Sequence, residues 1–140
     1  MRKLLVPVDG SPVANRAVAY AIGLARCVAD TRIVLLNVQQ NVEHWHKRGL
    51  LDEESMKELR QQGEQESREA RAALDAAGAL YDFHIAFGHP AEVIVRMARE
   101  ERCEGVVMGT RGLGDVETLI LGSTAYKVIQ LAQVPVTLVK

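Results

Sequence analysis

The sequence predicts an α/β fold: a three-layer, doubly wound sheet of five parallel strands in the order 3-2-1-4-5, with helices on both faces. Three observations carry this. Short continuous apolar runs alternate with segments of helical spacing, which is the pattern of βαβ units joined by right-handed crossovers. The first and fourth runs, Leu4-Leu5-Val6-Pro7-Val8 and Gly105-Val106-Val107-Met108-Gly109, are apolar at successive positions, as strands buried on both faces must be. The third run instead alternates Tyr81, Phe83, Ile85 and Phe87 with Asp82, His84 and Ala86, which suits a sheet edge.

Each element has its own signals. The first strand ends at the turn pair Asp9-Gly10; Ser11 then stands at a helix N-cap and Pro12 at the first helical position. Ala14, Ala17, Val18, Ala21, Ile22, Ala25 and Val28 follow at helical spacing, and Ile33 to Val38 forms the second strand. Residues 39–52 lack a period and read as a loop carrying His44, Trp45 and His46. A long polar helix runs from Asp52 to about Ala77 with an acidic start, an apolar stripe of Met56, Leu59, Ala70, Leu74 and Ala77, and Gly78 as its stop. Gly63 is expected to weaken it locally. Pro90 opens a helix through Val93, Ile94, Met97 and Ala98; Ser123 to Ala132 forms the last helix, with Ser123 as N-cap; and Val134 to Val139 forms the fifth strand. No repeat or linker interrupts residues 1–140, so a single domain is expected.

Composition excludes several classes. The chain has 140 residues, 48% hydrophobic and 25% charged, and a net charge of −1. Ordinary apolar content with balanced charge argues against disorder. The weak net field argues against a nucleic-acid or anionic-membrane partner. No apolar run approaches the ~20 residues of a membrane span, and the opening reaches Asp9 too soon for a signal-peptide core. Cys27 and Cys103 are read as small core residues in helical segments, in a reducing, cytoplasmic compartment.

Ligands of open parallel sheets sit at the carboxyl ends of the strands where the order reverses. With the first and fourth strands as neighbours, that crevice lies between Pro7-Val8-Asp9 and Met108-Gly109-Thr110, with Val38 as a nearby wall. The fourth strand leads into Gly109-Thr110-Arg111-Gly112-Leu113-Gly114 and later Gly122-Ser123-Thr124. Glycines let backbone N–H groups approach a ligand, the helix start favours an anion, two hydroxyls add donors and Arg111 adds a cation. These parts suit a polyphosphate. They are neither a Walker A loop nor a dinucleotide G-x-G-x-x-G.

Gly109, Gly112, Gly122 and Ser123 match G-x2-G-x9-G-[ST] without a gap, and with Val6-Pro7-Val8-Asp9-Gly10-Ser11 and Val134-Pro135-Val136 the chain resembles the nucleotide-binding branch of the universal stress proteins over essentially its whole length. The resemblance implies that Asp9 lies against the ribose and any bound metal, that Pro7 and Val8 shape the base pocket, that the Val38 backbone meets the adenine edge and that Met108 packs beside the nucleoside. It implies that Gly109, Arg111, Gly112, Gly122, Ser123 and Thr124 surround the phosphates with Ala125 behind them. It further implies ATP as ligand, Mg²⁺ or Mn²⁺ as companion, at most slow hydrolysis, and a homodimer along the strand 134–139. Asp115 and Glu117 depart from the family's usual neutral or basic loop, and Thr124 stands where an apolar residue is frequent.

Plainer roles compete for the same residues. Asp9 could only cap its turn, the glycines could only make a crossover, Arg111 could face solvent and Ser123 could be an ordinary cap. The His44/His46 pair lacks the spacing and partners of a metal site, His84 points outward from an edge strand, and His89 caps or lines the start of its helix. The charges from Glu53 to Arg71 read as a solvated helix face. Trp45 could cover the pocket or meet a partner. The apolar last strand is a template for pairing. Three functions follow: a nucleotide-binding regulatory protein acting on an unknown protein partner, a metal-dependent ATP hydrolase with Asp9, Asp115 or Glu117 as base, and a ligand-free dimeric interaction module.

Overall fold

Alternating side chains on a strand point to opposite faces, so a run that is apolar at every position needs a layer of helices on each side. The computed structural model, which describes residues 2–40, 53–112 and 121–140, has that arrangement. In chain order it contains β1 (Lys3–Pro7), α1 (Pro12–Cys27), β2 (Arg32–Gln39), α2 (Glu53–Ala76), β3 (Leu80–Phe87), α3 (Pro90–Glu100), β4 (Gly105–Gly109), α4 (Ser123–Leu131) and β5 (Val136–Val139). The five strands pair in parallel in the order β3-β2-β1-β4-β5, as the apolar patterning predicts. Leu4, Val6, Ile33, Leu35 and Val107 pack with Ala17, Val18 and Ala21 of α1 and Ala70 and Leu74 of α2. Leu5, Val34, Leu36, Val106 and Met108 pack on the other side with Ala91, Val93, Ile94 and Ala98 of α3 and Ala125 and Val128 of α4.

Helix ends follow their local chemistry. Ser11 caps α1 through its hydroxyl, which accepts the Ala14 N–H at 3.2 Å. Gly78, at φ 64°, stops α2: its N–H donates to the Asp75 carbonyl at 3.1 Å and the Ala79 N–H to the Leu74 carbonyl at 3.0 Å. The same closure ends α3 with an arginine in the left-handed position. Arg102 has φ 55°, and the Cys103 N–H reaches the Ala98 carbonyl at 2.8 Å.

Several expectations change. Ser123 is the first residue of α4 rather than its cap; Gly122 is the cap. β5 begins at Val136 instead of Val134, because Pro135 has no N–H to give a ladder and contributes only its carbonyl, which accepts the Val106 N–H at 2.9 Å. Cys27 ends α1 and is exposed, so it is not a core residue; Cys103 is buried but lies in the turn after α3, outside any helix. His84 is partly exposed and stands 3.7 Å from Glu101. The polar face of α2 also does more than meet water. The Arg71 guanidinium lies 4.6 Å above the Phe83 ring and that of Arg60 lies 5.7 Å above Phe87, so both cover the edge strand β3. His44, Trp45, His46, Gly114, Asp115 and Glu117 fall outside the described residues.

The buried stripe of α2 is Leu59, Gly63, Ser67, Ala70 and Leu74, so two small residues take positions that an apolar count overlooks. Gly63 is there for space. A Cβ at that position would lie 2.8 Å from Asn37 Oδ1 and 3.1 Å from Ile85. Asn37 cannot retreat: it is fully buried, its amide donates to the Val8 carbonyl at 3.0 Å and to Glu66 at 3.1 Å, and its oxygen accepts from Gln39 at 2.8 Å.

Gly63→Ala would add about 1 kcal/mol to an exposed helix. Here it is expected instead to lower unfolding free energy by about 1–3 kcal/mol through overpacking, read from urea denaturation. Burial pushes the Cys103 thiol up from 9.0 to about 11, with Lys3 opposing and Glu101 reinforcing the shift. The neutral thiol therefore favours the fold below pH 9, and that contribution is lost as pH rises toward about 11. At pH 8, iodoacetamide is expected to modify exposed Cys27 in the folded protein and Cys103 only after unfolding, as mass spectrometry of digested protein will show.

Candidate functional site

At the carboxyl end of the sheet, β1 and β4 are neighbours, yet the chain leaves β1 for α1 on one face and reaches α4 from β4 on the other. The gap this opens is a cavity of about 390 Å³, within the range of small-molecule sites. Pro7, Val8 and Asp9 line it from the end of β1, Met108, Gly109, Arg111 and Gly112 from β4 and its exit, and Val38 from β2. Ser123, Thr124 and Ala125 line it from the first turn of α4. Of the described residues singled out from sequence as lining the crevice or surrounding the ligand, Thr110 and Gly122 are absent from the wall: both are buried, and Gly122 is the α4 cap.

Two glycines set how closely the walls approach. A Cβ on Gly109 would lie 2.6 Å from Val13 Cγ1, so β4 passes α1 at a distance that only glycine permits. A Cβ on Gly112 would run into the Asp9 carboxylate at Oδ2. The other Asp9 oxygen, Oδ1, accepts the Ser11 N–H at 2.9 Å. Asp9 thus closes its own turn through one oxygen and stands directly against the glycine exit of β4 with the other. The Gly122 N–H donates to the Thr110 carbonyl at 2.6 Å, which ties the start of α4 to the end of β4.

The three helix starts around the cavity differ in one respect. α1 is capped by the Ser11 hydroxyl, whereas neither His89 before α3 nor Gly122 before α4 supplies a side-chain cap. First-turn N–H groups have no acceptor within their own helix, and the helix dipole makes that end electropositive. His89, Pro90 and Ala91 of the α3 start and Ser123, Thr124 and Ala125 of the α4 start all line the cavity. Arg111 and Lys127 add two cationic side chains, and Asp9 supplies a carboxylate. The arrangement can hold an anionic tail at its α4 side and an apolar group against Pro7, Val8, Val38, Ile94 and Met108. Among the described residues no group of three or more His, Cys, Asp or Glu side chains is gathered to hold a metal ion.

Sequence reasoning missed Ala14, Gln40, Pro90, Ala91, Ile94 and Lys127 as wall residues, and saw His89 only as part of a helix start. Helical spacing would have found two of them: Ala14 stands three residues after Ser11, and Lys127 four after Ser123. The α3 wall has no local signal, because nothing in Gly88-His89-Pro90 marks a neighbour of β1 and β4.

The sequence profile of the universal stress protein family matches residues 1–140, and the chain belongs to that family. It is 34% identical over 139 residues, 99% of this chain and 98% of the relative, to a universal stress protein of Thermus aquaticus encoded in the QAH/OAS sulfhydrylase 3′ region. The solved structure of MJ0577 from Methanocaldococcus jannaschii superposes with a TM-score of 0.86 at 25% identity, covering 99% of this chain and 95% of that one. A universal stress protein of Archaeoglobus fulgidus in complex with dAMP has the same fold, with a TM-score of 0.75 at 22% identity, covering 100% and 98%. So do a universal stress protein in complex with cAMP (TM-score 0.68, 22% identity, covering 99% and 96%) and one from Arabidopsis thaliana with AMP bound (0.70, 21%, 100% and 92%).

Replacing Asp9 by Ala removes the acceptor for the Ser11 N–H and is expected to cost about 1 kcal/mol of stability. Asp9→Asn, which keeps an acceptor oxygen, is expected to retain most of it. Paired urea titrations of the two variants check the difference.

Proposed function

We propose that this universal stress protein binds an adenine nucleotide, foremost ATP, in the cavity between β1 and β4, and works as a nucleotide-dependent regulatory protein of the stress response. One observation carries this: the Asp9 carboxylate, the glycine exit of β4 and the start of α4, whose cap Gly122 has no side chain, converge on a single cavity at the point where the strand order reverses. The structural relatives that hold AMP, dAMP and cAMP support an adenine nucleotide as the ligand class.

In this arrangement Pro7, Val8 and Met108 flank the base and nucleoside, the Val38 backbone meets the adenine edge, and Asp9 accepts from the ribose hydroxyls. Arg111, the N–H groups of Gly109 and Gly112 and the first turn of α4 with Ser123 and Thr124 take the phosphates, with Ala125 as the floor. Gly122 acts from behind, by starting α4 without a side chain that would cap it. Mg²⁺ or Mn²⁺ accompanying ATP would draw its ligands chiefly from phosphate and water oxygens, with Asp9 as the protein's carboxylate. Binding is the primary act and hydrolysis at most slow, since none of Asp9, Asp115 and Glu117 sits in a recognised catalytic motif. We further propose a homodimer paired along β5, whose residues are all only partly buried at the sheet edge. A reducing cytoplasm suits its two unpaired cysteines.

Calorimetric titration is expected to give saturable binding of ATP and much weaker binding of GTP, and light scattering is expected to report a two-chain species. Gly112→Ala pushes the Asp9 carboxylate aside and is expected to weaken ATP tenfold or more, about 1.4 kcal/mol, while thermal unfolding stays cooperative. Wild-type protein that binds no adenine nucleotide overturns the assignment.

A further inference from the structure

Lys127 lies in the cavity wall, one helical turn beyond Ser123 on the same face of α4. Its position does not serve the helix. Lys127 stands at the middle of the nine-residue α4, where the helix dipole offers a cation nothing, whereas Glu92, in the first turn of α3, is favoured by it. The two link α4 to α3, with Lys127 Nζ 3.4 Å from Glu92 Oε1, and both side chains remain about half exposed. Glu92 itself is not part of the wall.

We infer that Lys127 is the residue by which this site distinguishes a nucleotide with a long phosphate tail from a monophosphate, and that Glu92 holds the lysine in reserve until such a tail arrives. This rests on the cavity being a nucleotide site. A monophosphate is met by the α4 start together with Arg111. Each further phosphoryl group adds charge that those groups have already been used to balance, and Lys127 is the second cationic side chain among the described wall residues. Magnitudes decide which partner wins. An exposed ion pair such as Lys127–Glu92 is worth no more than about fivefold in an equilibrium. A charge-assisted bond to a phosphate inside the cavity is worth about tenfold or more. The lysine therefore leaves Glu92 for the tail, and α3 and α4 exchange a direct link for one through the ligand.

The test is the affinity of the full-length protein for ATP, ADP and AMP at fixed ionic strength and fixed Mg²⁺, in wild type, Lys127→Gln and Glu92→Gln. Wild type is expected to favour ATP over AMP, and Lys127→Gln to reduce that preference by about tenfold. Glu92→Gln, which frees the lysine, is expected to widen the preference by about two- to fivefold. A preference unchanged in Lys127→Gln, or a uniform loss for all three nucleotides, makes Lys127 a plain surface partner of Glu92 and overturns the inference while leaving nucleotide binding intact. Wild-type protein that binds none of the three overturns both.

Discussion

The structure depends on how closely two strand exits pass each other. β1 and β4 lie side by side in the sheet, and the chain leaving each must turn to a different layer of helices. That divergence makes a gap in any doubly wound sheet. What gives this gap its chemistry is that its walls meet at backbone distance, where Gly109 passes Val13 and Gly112 passes the Asp9 carboxylate. A side chain at either place would push the walls apart or fill the space, and main-chain N–H groups could no longer approach a ligand there.

The three helix starts around the gap divide the work. α1 is satisfied internally by Ser11, which anchors the turn that carries Asp9. α3 and α4 begin at His89 and Gly122, neither of which bonds its own helix start through a side chain. Their electropositive ends and the two cationic side chains face the same cavity, so the site combines fixed dipoles, which cost little reorganisation, with mobile charges that can change partner.

Behind β1 and β2 a buried polar cluster holds this geometry. Asn37 donates to the Val8 carbonyl, Gln39 donates to Asn37, and both amides reach Glu66 on α2. Buried amides are expensive unless satisfied, so the cluster specifies one register between β2, the turn after β1 and α2. Gly63 completes it by letting α2 come close enough for Glu66 to join.

The fold class, the strand order and most element boundaries were legible in the chain because they rest on local periods: continuous apolar runs for two-faced strands, alternation for the edge strand β3, and Ser11-Pro12 and Gly78 as start and stop signals. The glycine spacing from Gly109 to Ser123 pointed to the end of the sheet where the cavity lies. What the tertiary structure alone decided was every relation between distant segments. It put α3, through His89, Pro90, Ala91 and Ile94, into the wall of a site otherwise built by β1, β4 and α4, and moved Gly122 out of the wall to a cap. It turned Gly63 from a local weakness into a required close contact and set Lys127 against Glu92. Periodicity reports which face of an element is buried; which other element covers that face, and at what distance, is set by packing across the sheet and has no counterpart in the order of the residues.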